Sequence, residues 1–283
     1  MHYLSIAFRL TVSLLLLAPL TAQPATRVSV GPGGVEGNGD SLNPSMDFSG
    51  NLVAFDSSAN NLVPGDVNGF HDIFLRNRSL GSTSLVSLNT IGLQANGGCS
   101  TPSINQDGSF ISFQSTATNL VSGDVNGRMD VFLRDLTTGV TTLVSVSSAG
   151  LQGNANSYNS IISGDGRYVA FISDATNLVA GDTNGATDVF VRDTMLGVTW
   201  RASMSSFGTQ GNSNSGVNGY DLSVSGRYVA FPSTSSNLVP NDTNQTDDIF
   251  LHDNFTGQTI LVSRGLGGVP ANSASYYPCF ARD

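Results

Sequence analysis

Asp66, Asn68 and Asp72 place three side-chain oxygens in one short stretch, with Gly69 among them to let the backbone turn. The same trio returns as Asp124, Asn126 and Asp130, as Asp182, Asn184 and Asp188, and as Asp242, Asn244 and Asp248. Hard cations need several oxygens converging at about 2.3–2.6 Å, and compact Asp/Asn loops can supply them. These twelve residues are therefore candidate calcium ligands. The pattern is shorter than the helix–loop–helix calcium loop and lacks its closing Glu, and the fourth copy has Gln245 where the others have Gly. Asp and Asn also build turns by bonding their own backbone. The sequence thus carries two readings of each loop, a calcium-stabilised site and a purely structural turn.

Other chemistry has less to stand on. Beyond the leader, the only histidines are His71 and His252, at different repeat positions, and His252 takes a slot filled elsewhere by Arg134 and Arg192. An exposed strand residue is the expectation for it, not a general base. Serine is abundant, yet no Gly-x-Ser-x-Gly elbow with a matching acid and His emerges. Asp107 and Asp165 sit in Asp-Gly turns, which account for them without catalysis. Trp200, Tyr158, Tyr220, Tyr276 and Tyr277 could stack on sugars, although packing is the commoner use of such side chains. Cys99 and Cys279 have no Cys-x-x-Cys or Cys/His companion and occupy unlike repeat positions, so two free, buried thiols are expected rather than zinc or a disulfide.

The acidic loops recur at intervals of 58, 58 and 60 residues, and a period of this length signals repeat architecture. Around each loop the same elements return. A short segment such as Ser160–Ser163 leads into Gly164-Asp165-Gly166, a hairpin signal. Arg167-Tyr168-Val169-Ala170-Phe171 follows, apolar enough to be buried on both faces, with equivalents ending at Phe55, Phe113 and Phe231. The loop comes next, then Asp188–Asp193 as a third strand, then a turn and a fourth strand such as Thr142–Val146. Connections such as Gly150-Leu151-Gln152-Gly153-Asn154 are low in complexity and recur in register. No segment beyond the leader shows a helical apolar period. Four antiparallel strands per repeat, stacked radially, predict an all-β chain, a β-propeller of four-stranded antiparallel blades.

The phrase Ile162-Ser163-Gly164-Asp165-Gly166-Arg167-Tyr168-Val169-Ala170-Phe171, followed by Asp188-Val189-Phe190-Val191-Arg192-Asp193, resembles the TolB-like or WD-repeat-like propeller unit of exported bacterial proteins. The resemblance implies an innermost strand before the Asp-Gly turn and three strands outward from it. Such propellers serve as binding platforms, assembly partners and enzyme scaffolds. The chain departs from the simplest unit by the long insertion carrying Asp-x-Asn-Gly. Asn272–Asp283 matches Asn96–Asp107, so four complete blades and the opening strand of a fifth are expected, a truncated or imperfectly closed ring. Arg27–Val30 matches Leu143–Val146, an outermost strand.

Composition narrows the function classes. The net charge is −9, all twelve basic residues are Arg, and they are spread along the chain, so no basic tract exists to follow a phosphate backbone. His2 and Arg9, the apolar run Leu10–Ala18 and the small-residue site Ala18–Ala22 read as a signal peptide over residues 1–22, with the propeller over 23–283. No later stretch could cross a membrane. The expectation is a secreted or periplasmic, non-catalytic propeller that binds a protein or glycan, with calcium supporting its loops. A polysaccharide hydrolase or lyase, and a structural module of a larger surface protein, are the alternatives.

Overall fold

The computed structural model describes residues 25–281, and the leader expected at residues 1–22 lies outside them. Sixteen strands make four sheets, each built from four consecutive strands. The first blade comprises β1 (Ser41–Met46), β2 (Leu52–Ser57), β3 (Asp72–Asn77) and β4 (Ser82–Leu85). The second comprises β5 (Cys99–Ile104), β6 (Phe110–Ser115), β7 (Asp130–Asp135) and β8 (Thr141–Leu143). The third comprises β9 (Ser157–Ile162), β10 (Tyr168–Ser173), β11 (Asp188–Asp193) and β12 (Val198–Arg201). The fourth comprises β13 (Asp221–Leu222), β14 (Tyr228–Ser233), β15 (Asp248–Asp253) and β16 (Thr259–Leu261). All pairings are antiparallel and sequential, so each blade is one repeat.

The second strand of each blade lies between two neighbours and is covered on both faces, which is why its residues lack polar alternation; every residue of β10 is buried. In each blade this strand sets a phenylalanine directly opposite one on the third strand, as Phe171 faces Phe190. The four ring pairs lie 5.8–5.9 Å apart. Residues on opposite faces then enter different cores. Phe171 and Phe190 pack with Val131 and Leu133 of the second blade, whereas Ile172 and Val189 pack with Val229 and Phe231 of the fourth. Blade stacking is thus a chain of hydrophobic layers, the main favourable term in such repeats.

β1, β5 and β9 carry a bulge at Asn43, Thr101 and Asn159, all with positive φ. The fourth blade departs: two extra residues before Asp221, the source of the 60-residue interval, shorten its inner strand. Tyr220 from this insertion is buried and donates its hydroxyl to the carbonyl oxygens of Asn159 and Ala170. The fourth strands end earlier than the sequence suggested. β8 stops at Leu143, and Val144 and Val146 turn into the core. Val30 forms only an isolated bridge. Residues 272–281 contain no assigned strand, yet they follow the inner-strand path: the Ser275 N–H reaches the Asp247 carbonyl at 2.7 Å, as Cys99 reaches His71 at 2.8 Å, and Tyr277 repeats the positive φ. Cys279 is exposed in this segment, correcting the expectation of a buried thiol, because no second strand covers it among the described residues. Cys99 is buried and free as expected.

The hairpins at the ends of the inner strands interlock. Phe48, Gln106 and Gly164 donate backbone N–H groups to Gln106, Gly164 and Val224 of the next blade. Gly166 shows the tolerance of this joint: its φ is +77°, and a Cβ there would lie 2.5 Å from Phe110 Cδ2. Gly181 has a similar φ of +75° with nothing within 4 Å. Gly166→Ala is therefore expected to cost about 2–3 kcal/mol and Gly181→Ala about 1 kcal/mol. Urea unfolding of the two variants checks this, and equal losses would show that the inter-blade contact contributes nothing.

Candidate functional site

Each acidic trio is gathered by the connection between the second and third strands of its blade. The second Asp opens the third strand and is fully buried at Asp72, Asp130, Asp188 and Asp248. Each accepts a short 2.5 Å hydrogen bond from a serine just past the fourth strand, namely Ser87, Ser145, Ser203 and Ser263. The same serine oxygens accept the N–H of the residue after the Asp, at 3.0–3.1 Å. The buried carboxylate therefore anchors the end of the blade's outermost strand.

The asparagines behave uniformly. Their side-chain oxygens accept backbone N–H groups two residues on, from Phe70, Arg128, Ala186 and Thr246. Their amide nitrogens face inward and donate to the carbonyls of Ala95, Gly153, Gly211 and Ala271, and in the last three blades also to the second Asp. A backbone donor on one side and a carbonyl on the other fix the amide orientation. The structure thus brings Asp, Asn and Asp together in all four blades, with the Asn supplying donors to the cluster.

What joins the two carboxylates is a residue the sequence reading passed over. In the first blade Gln94 Nε2 lies 2.7 Å from Asp66 and 3.1 Å from Asp72. In the second, Gln152 Nε2 lies 2.8 Å from Asp124 and 2.9 Å from Asp130. Each Gln oxygen accepts the N–H following the first Asp, at Val67 or Val125. In the third blade Arg201 bridges instead, with one terminal nitrogen 3.1 Å from both Asp182 and Asp188. The signal was available: Gln94, Gln152 and Gln210 recur at fixed spacing inside loops read only as connections. Burial raises the pKa of Asp72, Asp124, Asp130, Asp182 and Asp242 above the ordinary carboxylate value. In the first three blades an N–H donor stands where a cation would need to sit, so those residues do not fit a calcium ion. Among the described residues, no group of three or more His, Cys, Asp or Glu side chains is placed to hold a metal.

The histidines have separate roles. His71 lies 3.6 Å from buried Asp56, which also accepts Asn43 Nδ2 and the Thr101 N–H. His252 is buried, not exposed as expected, with Nδ1 2.8 Å from Thr259 Oγ1. Burial lowers its pKa to about 4. Trp200 donates to Asn254 Oδ1 and packs edge-on against Tyr168.

Against this uniform frame one pair of positions varies freely. The two residues before the second Asp are Phe70-His71, Arg128-Met129, Ala186-Thr187 and Thr246-Asp247. Phe70 and Arg128 are exposed and the others half-buried. The carbonyl of the second residue accepts a backbone N–H from the following repeat, from Cys99, Ser157, Ser215 and Ser275 in turn, at 2.7–2.8 Å in every copy. That bond sets each variable pair beside the next inner strand, on one face. The opposite face carries the hairpins and a cleft of about 500 Å³ bordered by Met46, Phe48, Ile104, Ile162 and Leu222.

No family model matches the sequence, and no curated protein is similar to it. Solved structures are. TolB from Acinetobacter baumannii is 18% identical with a TM-score of 0.46, over 79% of this chain and 43% of that one. The β-propeller domain of the Trilobed protease from Pyrococcus furiosus is 14% identical with a TM-score of 0.46, over 79% of this chain and 57% of that one. A structure from a study of two prolyl endopeptidases is 11% identical with a TM-score of 0.50, over 81% of this chain and 30% of that one. The chain spans less than two thirds of each of these proteins, and the likeness is one of fold. Four four-stranded antiparallel sheets, one per repeat and joined through their inner strands, make this chain a β-propeller, as its resemblance to TolB-like units implied.

Proposed function

We propose that this chain is an exported recognition module that binds a protein partner through the face bearing the four variable pairs. The observation that carries the reading is the contrast within the repeat. The Asp, Asn and Phe positions are identical in all four blades, while Phe70-His71, Arg128-Met129, Ala186-Thr187 and Thr246-Asp247 share nothing. Positions that only hold a blade together are subject to the same packing in every copy. Positions that differ while the backbone stays the same are free to suit something outside the chain. An aromatic, a cation, a small pair and an anion around one face suit an irregular protein surface better than a repeating polymer.

Export is the setting this reading requires, and the apolar leader at residues 1–22 supports it. No helix among the described residues is long and apolar enough to cross a membrane. The test places a photo-crosslinking residue at Phe70 or Arg128, and separately at Thr137 in the β7–β8 turn. Each protein is exposed to the envelope and secreted fractions of the source cells. Discrete adducts are expected from the first two positions only. Adducts from Thr137 alone, or the same set from all three, would overturn the assignment of the face.

A further inference from the structure

One slot at the joint between blades is built for a guanidinium, and in the fourth blade the chain supplies none. The fifth residue of the third strand is Arg76, Arg134, Arg192 and His252 in turn. Arg134 Nη1 donates to the carbonyls of Leu88 and Asn89 and to Thr141 Oγ1, at 2.9–3.1 Å. Arg192 Nη1 does the same with the carbonyls of Val146 and Ser147 and with Thr199 Oγ1, at 2.9–3.5 Å. The other terminal nitrogen lies beside the following turn. A Cβ on Gly139 or Gly197 would stand 3.6 Å from it, and one on Gly81 would stand 3.8 Å from that of Arg76.

The fourth blade keeps the acceptors. Thr259 Oγ1 donates to the Met204 carbonyl, as Thr141 does to Leu88 and Thr199 to Val146. The Ser205 carbonyl accepts the Gly208 N–H, as Asn89 accepts that of Gly92 and Ser147 that of Gly150. Among the described residues, no side chain donates to the Ser205 carbonyl. The difference is length. The imidazole stops at Thr259 Oγ1, 2.8 Å from Nδ1, and a Cβ on Gly257 would meet nothing within 4 Å. The Thr259 proton is spent on Met204, so the ring donates this bond from Nδ1. Two carbonyls and a hydroxyl oxygen remain as acceptors beside a neutral ring.

Space follows from the shorter side chain. A cleft of about 680 Å³ opens at this joint, bordered by Trp200, Met204, Gly208, His252, Asn254 and Gly257. The matching cleft of the first blade measures about 530 Å³ and is bordered by no residue of the second blade, whose Arg134 fills the joint. The donors at the rim are engaged: Trp200 Nε1 with Asn254 Oδ1, and Asn254 Nδ2 with the Gly226 carbonyl. Arg201, which also borders the cleft, is held by Asp182 and Asp188. Asp253, itself paired with Arg227, is the charge that bears on His252, and it favours a cation.

We propose that the fourth-blade slot binds the guanidinium of an arginine side chain carried by a partner chain. One terminal nitrogen donates to the Met204 and Ser205 carbonyls and to Thr259 Oγ1, and the other lies beside Gly257, as in the second and third blades. Trp200 and Met204 border the path of the aliphatic stem. The planar, weakly hydrated guanidinium suits such carbonyls better than an ammonium does. The slot lies at the opposite end of β15 from Thr246-Asp247, so the proposal is separate from the recognition face.

Titration of the ¹⁵N-labelled chain with N-acetyl-arginine amide, N-acetyl-lysine amide and free L-arginine tests it. N-acetyl-arginine amide is expected to give saturable shifts of the Ser205, Gly257 and Thr259 amide signals. The lysine compound is expected to bind roughly tenfold more weakly, because its ammonium gives up more hydration at the same acceptors. His252→Arg fills the slot from within and is expected to abolish the shifts. Arg192→His opens the corresponding slot of the third blade and is expected to add a second set, at Ser147, Gly197 and Thr199, which keeps the test intact should His252→Arg fail to fold. No saturable shift with N-acetyl-arginine amide in the wild-type chain overturns the proposal, and shifts with free L-arginine alone overturn a partner chain as the source. Equal binding of the lysine compound overturns the guanidinium. Shifts that survive His252→Arg, or an Arg192→His variant that gains no second set, overturn the placement.

Discussion

Asp188→Ala is expected to lose about 3–5 kcal/mol of stability, and Asp72→Ala only about 2 kcal/mol, although the two residues hold the same place in the fold. Both are fully buried and both accept a serine hydroxyl at 2.5 Å. The difference is the bridging donor. Removing Asp72 leaves Gln94 with a neutral amide that keeps Asp66 at 2.7 Å. Removing Asp188 strips a 3.1 Å partner from the Arg201 guanidinium, which is 6% exposed and has a buried Nε already without a partner. A buried charge left half-compensated costs more than a buried amide left half-bonded. Urea unfolding of the two variants measures the gap. Equal losses would mean that Arg201 gains nothing from its second carboxylate. Arg201→Leu completes the comparison: Gln210 is free to leave Thr183 and bridge the acids as Gln94 and Gln152 do, so this variant is expected to lose less than Asp188→Ala.

The legible part of this chain was what the repeat enforces. Phe171 and Phe190 recur because each blade needs one aromatic pair at its centre, and a residue under the same packing in four copies shows as a period. The hairpin, the doubly buried second strand and the third strand at Asp188–Asp193 were readable for that reason. The bridging glutamines were hidden because Gln152 touches Asp124 and Asp130 across more than twenty residues, and nothing local in Gly150–Asn154 marks it as their partner. The short fourth strands were hidden because Val144 and Val146 have strand-like character but spend it on the core. His252 misled in the opposite sense. Its arginine counterparts suggested exposure, whereas Arg134 is itself 9% exposed, its guanidinium donating to the carbonyls of Leu88 and Asn89 in the preceding repeat. A basic residue on a strand says nothing about burial when the partners that accept its protons lie a whole blade away.

That arginine slot also makes the fourth blade acid-sensitive. His252 is 2% exposed, and burial holds its pKa at about 4 against an ordinary value of 6.5. Between those values the unfolded chain takes up a proton that the folded chain refuses. The neutral imidazole's contribution is therefore complete above pH 6.5 and lost as pH falls toward 4, by about 3 kcal/mol at pH 4. Buried Asp72, Asp124, Asp130, Asp182 and Asp242 act in the other sense: their raised values mean that the folded chain accepts protons more readily than the unfolded one, so acidification favours it through them. The wild-type pH profile is the sum of opposing slopes, and only a difference between proteins isolates His252. His252→Arg supplies that difference. An arginine here can donate to Thr259 Oγ1 and to the Met204 carbonyl, the groups that correspond to Thr199 Oγ1 and the Val146 carbonyl, partners of Arg192 in the third blade. It carries its charge at every pH and adds no slope in this range. Unfolding of the two proteins in urea at pH 7 and pH 4 is expected to show the variant gaining about 3 kcal/mol relative to wild type on acidification. A gap that stays constant between the two pH values would mean that His252 is protonated in the folded chain and that the fourth-blade slot admits a charge as the arginine slots do.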